Sequence, residues 1–210
     1  MRLAFLAVTA AALVLVACGD DDDNTTPTPS TAENSVAASV ILQLADAPPG
    51  WGAAPATNHS PFDQCNEPLA GRTGTADGED FSNADGAMLF QSAAVFANDG
   101  AASEGLKEYA NERVECFAEA INLGFADPDE VDYGDAKVDG FDFPKTADES
   151  QAKRVTFSGT SKKDNAKKTF YYEVVVLRKG RIATSLVAQD DASPIADLDD
   201  WAERAENKLP

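Results

Sequence analysis

The apolar positions divide the chain into three parts: an apolar N-terminal run, a polar stretch, and a long periodic remainder. Leu3–Val16 is a 14-residue apolar run, shorter than the roughly 20 residues a membrane-spanning helix needs. With Arg2 before it, the run reads as the hydrophobic part of an export signal, and residues 1–17 are set aside from the fold. Gly19–Asn34 has no apolar periodicity. Val36–Leu44 then predicts a short amphipathic helix. The Asp46-Ala47-Pro48-Pro49-Gly50-Trp51 segment stops it, because proline cannot continue a helix and restricts the residue before it. Gly86–Ala97 predicts a strand, with Met88, Phe90, Ala94 and Phe96 on one face. In Ser103–Leu123 apolar residues recur at three- and four-residue steps (Leu106, Ala110, Val114, Phe117, Ile121), which is the stripe of a helix buried on one side. Ser103 is placed to cap its start and Gly124 to end it.

Three strands are predicted next. Lys153–Gly159 alternates, with Val155 and Phe157 on one side. Thr169–Leu177 is almost wholly β-branched or aromatic, the composition of a central strand. Arg181–Ala188 completes a meander, with Lys179-Gly180 as a tight turn and Asp164-Asn165 in a longer one. Ser193-Pro194 opens a last helix, with proline in its first turn and a stripe of Ile195, Leu198, Trp201, Ala202, Ala205 and Leu209. Amphipathic helices packed on a mostly antiparallel sheet make an α+β layered sandwich. With no internal repeat in view, residues 35–210 are expected to form a single domain.

Composition adds a compartment. Leu15-Val16-Ala17-Cys18 resembles the bacterial lipobox, and the resemblance implies that Cys18 is diacylated on sulfur and becomes the first residue after cleavage. A palmitate-type anchor would then replace the removed helix, each buried methylene contributing about 0.8 kcal/mol. Residues 18–34 would follow as lipidated cysteine and tether, with Asp20–Asp23, two prolines and five Ser/Thr in Gly19–Asn34. As a flexible coil, that segment averages roughly 20–25 Å end to end. The full sequence of 210 residues carries 36 Asp+Glu against 17 Lys+Arg, a formal charge of −19. That balance opposes nucleic acid as a partner, since duplex binding needs a basic footprint.

Candidate chemistry is sparse. Three cysteines and one histidine are too few for a Cys/His zinc site. With Cys18 lipidated, Cys65 and Cys116 remain, and an exported chain in an oxidising space is expected to join them as a disulfide. The rival, a nucleophilic thiol, is disfavoured by Glu115 and Glu119 beside Cys116. His59 is the sole histidine. It sits in a polar, Pro-flanked loop with no Gly-x-Ser-x-Gly elbow to serve a hydrolase. Glu104, Glu108, Glu112, Glu115 and Glu119 mostly lie off the apolar stripe, which makes them a solvated face rather than paired acid/base carboxylates. Asp127, Asp129, Glu130, Asp132, Asp135 and Asp139 are the best metal suggestion, since hard oxygen ligands at this density suit calcium. The EF-hand spacing fails, however: position six from Asp127 is Asp132 instead of Gly, and position twelve is Val138 instead of Glu. No cofactor motif is present, and an acidic surface loop is the expectation.

Charge is segregated. Residues 63–149 carry a net −16 and residues 150–181 a net +7. The cations Lys153, Arg154, Lys162, Lys163, Lys167, Lys168, Arg178, Lys179 and Arg181 fall mostly at strand ends and turns. Two readings follow. The cations could meet anionic headgroups, or they could form a rim that pairs with the protein's own acids and guards strand edges. The second is favoured.

Leu42-Gln43-Leu44-Ala45-Asp46-Ala47-Pro48-Pro49-Gly50-Trp51, one Cys in the next loop, one in the following helix, and Val174-Val175-Val176-Leu177-Arg178-Lys179-Gly180-Arg181 resemble the PknH-like sensor domain. A looser likeness is to PsbP-like folds. The resemblance implies non-catalytic binding or sensing on the outer face of the cell membrane, and it transfers no site residues. The expectation is therefore a membrane-anchored binding domain for a small apolar or envelope-derived ligand, or an envelope protein, lodged between sheet and helices. The alternatives are a cell-envelope hydrolase using His59 and a calcium-dependent adhesion or structural module.

Overall fold

The computed structural model describes residues 29–56, 65, 68–123, 131–144 and 147–210. The export signal, Cys18, most of the tether, His59, Gly124, Asp127, Asp129 and Glu130 lie outside the described residues. Eight strands form one sheet in the order β1-β3-β4-β8-β7-β6-β5, with β2 pairing on β4 alongside β3. They are β1 Trp51–Ala54, β2 Arg72–Asp77, β3 Asp80–Asn83, β4 Met88–Phe96, β5 Val131–Gly140, β6 Glu149–Ser161, β7 Lys167–Lys179 and β8 Ile182–Asp190. Every pairing is antiparallel. The α+β layered class expected from the sequence is therefore the one formed.

Helices cover both faces. On one face lie α1 (Thr31–Ser39), a 3-10 turn at Leu44–Asp46 and α4 (Leu198–Lys208). They pack on Phe81, Leu89, Val95, Val175, Leu177 and Leu186. On the other lies one long helix in three segments: α2 (Asp99–Glu108), a π turn at Tyr109–Arg113, and α3 (Val114–Asn122). Its stripe of Leu106, Ala110, Val114, Phe117 and Ile121 is buried as the periodicity predicts, against Val155, Phe157, Val174, Val176 and Val187. Strand β7 is central, with Val174–Leu177 buried on both sides, as a β-branched run should be.

Several boundaries differ from the sequence reading. The first helix begins at Thr31 rather than Val36 and so takes in Thr31–Asn34, the end of the stretch read as tether. Ser30 Oγ caps it by accepting the Glu33 N–H at 3.2 Å, and the Ser30 N–H donates to Thr73 O of β2 at 2.9 Å. The polar turn residues that suggested a tether thus serve as a cap and first turn docked on a sheet edge. The long helix starts at Asp99, with Asn98 Oδ1 accepting the Ala101 N–H at 2.9 Å, in place of the Ser103 cap. The last helix starts at Leu198 rather than Ser193, because the Ile195 N–H is held by the buried Glu173 carboxylate at 2.8 Å.

Four strands were not predicted: β1, β2, β3 and β5. Strand β5 replaces part of the expected acidic loop. It pairs with β6 over Val131–Gly140, with a bulge after Gly134 and Asp135 at φ 56°. Val131, Tyr133, Ala136 and Val138 turn inward while Asp132, Asp135, Lys137 and Asp139 are exposed. The alternation was present in the sequence but masked by the density of aspartates.

The opening segment that carried the family resemblance has a structural use. Leu42 N–H donates to Gln91 Oε1 at 2.7 Å. Asp46 pairs with Lys208 Nζ at 2.7 Å, and Arg204 Nη1 donates to the Asp46 carbonyl at 2.9 Å. Trp51 meets Trp201 edge-on, with centroids 5.2 Å apart. This segment clamps α4 to the sheet.

Candidate functional site

A pocket of about 280 Å³ lies between the sheet and the long helix, where α2 gives way to the π turn. Local sequence explains the space. Side chains alternate along a strand, so Ser92 and Ala94 of β4 point toward this helix. Their direct cross-strand partners on β8 are Ser185 and Ala183. Four small side chains thus make the floor, and the two hydroxyls approach within 2.7 Å. Above them, Gly105 lets the helix close on Phe96; a Cβ at Gly105 would overlap the Phe96 ring. One turn later the π turn adds a residue to the helical repeat, a feature that recurs at functional sites. Its two ends, Tyr109 and Arg113, both line the pocket.

The lining has two characters. Leu69, Phe96, Leu106 and Val176 supply apolar walls. Arg113, Tyr109, Arg72, Ser92, Ser185 and Asp77 supply polar groups. Arg113 is only 6% exposed, and its guanidinium carbon stands 5.2 Å from the centroid of the Tyr109 ring. Burial pulls its pKa down from the ordinary value, partly offset by Tyr109 and Glu108; a guanidinium still remains charged at neutral pH. Burial pushes the Tyr109 phenol up, opposed by hydrogen bonding with the Ser185 and Ser92 hydroxyls and by the Arg113 charge. The phenol is therefore a protonated donor at neutral pH. Asp77, on the edge-strand β2, is exposed at the rim.

The disulfide expected between Cys65 and Cys116 is present, with Cα atoms 5.9 Å apart. It joins the two walls: Leu69 lies four residues after Cys65, and Arg113 three before Cys116. Both Leu69 and Cys65 are buried.

The other predicted site residues fall elsewhere. Glu104, Glu112, Glu115 and Glu119 are exposed, Glu108 is half-exposed, and none of the five lines the pocket. Asp132 is exposed and pairs with Lys162 at 3.3 Å, while Asp135 occupies the β5 bulge. Among the described residues no group of three or more His, Cys, Asp or Glu converges. Many of the segregated cations meet the protein's own acids: Arg154 with Glu173, Lys162 with Asp132, Lys168 with Asp191, Arg178 with Glu149, and Arg181 with Glu33. The self-pairing rim is thus the reading this geometry supports.

Sequence reasoning missed Arg113, Tyr109 and the small-residue floor. The signal was available in part, since Ser92-x-Ala94 and Ala183-x-Ser185 interrupt otherwise bulky strands. The π turn has no comparable sequence mark.

No family profile matches the chain, and no curated protein matches it. Among solved structures, the chain is similar to the extracellular domain of PknH from Mycobacterium tuberculosis, at 9% sequence identity and a TM-score of 0.42, over 83% of this chain and 95% of that one. The likeness is a weak resemblance of fold.

Proposed function

We propose that this chain is a lipid-anchored extracytoplasmic protein whose folded domain binds a small molecule without transforming it. The pocket beneath the π turn carries this reading, because it gathers a buried cation, a half-buried phenol and apolar walls in one concave site. Such convergence of a few polar groups in a concave site is the usual form of a ligand site. Two sequence-linked features support the compartment. The export signal ends in a lipobox-like Cys18, and the Cys65–Cys116 disulfide is of a kind that persists in oxidising spaces. Among the described residues no helix is long and apolar enough to cross a membrane.

The lining modifies the expected ligand. A wholly apolar molecule would displace water from the polar part of the lining, Arg72, Thr75 and Asp77, without replacing its hydrogen bonds, which is costly. A ligand with both a polar and an apolar part fits better.

Native mass spectrometry of the protein purified from its own host tests the reading. The expected spectrum shows an added small-molecule mass that is lost on denaturation. A native mass equal to the denatured mass would remove the small-ligand reading. The anchor is tested separately: a Cys18→Ser variant should lose metabolic acyl labelling and fractionate away from the membrane.

A further inference from the structure

We infer that the pocket takes the apolar chain of a single-chain amphiphile drawn from the membrane beside it, with the polar head held at the rim by Arg72, Thr75 and Asp77. This inference rests on the proposed anchor and on reading the pocket as a ligand site.

Three observations point the same way. The first is where the pocket opens. Asp77 is the exposed member of the lining, Arg72 and Thr75 are half-buried, and Leu69, Phe96 and Leu106 are buried. The cross-strand partners of Arg72, Thr75 and Asp77 are Phe96, Ala94 and Ser92, which line the pocket too. The mouth therefore lies along β2, with the apolar part behind it. The second is where the chain enters the domain. Ser30 N–H donates to Thr73 O at 2.9 Å. Asn34 Oδ1 accepts the Thr75 N–H at 2.9 Å, and Glu33 pairs with Arg181 at 3.0 Å. A Cβ at Gly74 would overlap the Glu33 backbone, so glycine lets this segment lie against β2. The strand that forms the mouth is thus the strand that receives the N-terminal segment. Thr73 stands between Arg72 and Thr75, about 7 Å or less from each along the strand. Cys18 comes twelve residues before Ser30, a reach of at most about 43 Å. An acylated Cys18 therefore holds the mouth close to a bilayer, and the apolar molecules within reach are its lipids.

The third is chemistry. The Tyr109 hydroxyl is engaged by Ser185 and Ser92, and Arg113 lies over the Tyr109 ring. These inner polar groups are partnered within the protein, so the apolar wall is what a ligand has to cover. At the rim, Arg72 and Asp77 form no ion pair among the described residues. With the Thr75 hydroxyl they offer a cation, an acid and a hydrogen-bonding group to a polar head. A volume of about 280 Å³ corresponds to about nine water volumes at roughly 30 Å³ each. That houses a chain of about as many carbons, and the open mouth lets a longer chain overhang.

Calorimetric titration of the full chain with lysophosphatidylcholines of six, ten and sixteen carbons, each below its micelle concentration, tests this beside glycerophosphocholine, the head alone. Affinity should rise about fourfold per methylene from six to ten carbons and level off toward sixteen, while glycerophosphocholine does not bind. Ala94→Leu, which fills the floor, should abolish binding of the ten-carbon lipid. Arg72→Gln should weaken every chain length by about fivefold and keep the step between them, a readout that remains should the Ala94 variant not fold. A fluorescent ten-carbon lysolipid in phosphatidylcholine vesicles should load the acylated protein faster than the Cys18→Ser variant. Affinity that keeps rising through sixteen carbons at the same slope, as in adsorption to a surface, overturns the enclosed chain. Glycerophosphocholine that binds as tightly as the lysolipids overturns the chain assignment and leaves the pocket a ligand site. Equal loading of the Cys18→Ser variant overturns the membrane as source. Inert lysolipids together with another molecule carried from the host overturn only this inference. No probe bound and no molecule carried overturns the ligand-site reading as well.

Discussion

The two faces of the sheet are built from the same strands and serve opposite ends. Leu89, Gln91, Ala93 and Val95 of β4 face α1 and α4, where packing is closed: Phe81, Leu89, Val95 and Trp201 are wholly shielded from solvent. Buried Gln91 and Glu173 on that side are satisfied within the protein. Gln91 accepts from Leu42 N–H at 2.7 Å and donates to Val40 O at 3.3 Å and Thr184 Oγ1 at 2.9 Å. Glu173 accepts from Arg154 and from Ile195 N–H. Ser92, Ala94 and Phe96 of the same strand face the long helix, where small floor residues and the π turn leave a pocket. Placing bulk on one face and small hydroxyls on the other lets one strand both hold the fold and floor a site.

That contrast can be broken from the closed side first. Trp201 sits between Trp51 and Phe81, with the Phe81 centroid at 4.8 Å. Trp201→Ala should cost about 3–5 kcal/mol in denaturant unfolding. Trp201→Phe should cost much less, because the indole N–H has no hydrogen-bond partner to lose among the described residues. If Trp201→Ala were tolerated, the closed face would not be the seat of stability.

Removing the disulfide comes next. A Cys65→Ala, Cys116→Ala chain should lose about 2–4 kcal/mol, read from unfolding with and without reductant on the unaltered protein. Because the bridge ties the Leu69 wall to the Arg113 wall, affinity for a ligand in that pocket should fall as well. An unchanged affinity would show that the walls hold without it.

Gly105→Ala attacks the pocket side alone. The added methyl meets the Phe96 ring, and the overpacking should cost roughly 1–3 kcal/mol, measured as a fall in thermal midpoint. The ring can yield only toward the pocket or the core, so ligand affinity reports which way it moves.

The smallest effect is electrostatic and spans both faces. Burial raises the Asp46 carboxyl, but hydrogen bonds from Lys208 and Gln43 N–H outweigh it, so the net pKa is below the ordinary 3.8. Glu149 is likewise raised by burial but lowered further by Ser103 and Arg178, ending below its ordinary 4.5. A depressed carboxylate stabilises the fold above its unfolded pKa, and that contribution is lost as pH falls through the folded value. The thermal midpoint should therefore fall as pH drops below about 4, and Asp46→Asn should flatten part of that slope.

Much of this was legible in the chain. The stripe from Leu106 to Ile121, the β-branched run of β7 and the stripe from Leu198 to Leu209 each announced a buried element, because a helix or strand that packs must repeat its apolar residues at its own period. The Cys65–Cys116 pairing followed from compartment and count. Strand β5 was obscured because an edge strand keeps one face in water and can fill it with aspartates. Strands β1 and β3 have four residues each and β2 is mostly polar, so no periodicity marks them.

The sequence by itself determined the class of fold, the buried stripes, the disulfide partners and the segregation of charge, all of which depend on local period or simple counts. Only the tertiary structure decided that Ser92 lies opposite Ser185, that Gly105 meets Phe96, and that Tyr109 and Arg113 turn toward one enclosure. These depend on strand register and on one extra residue in a helical turn, which no local pattern records.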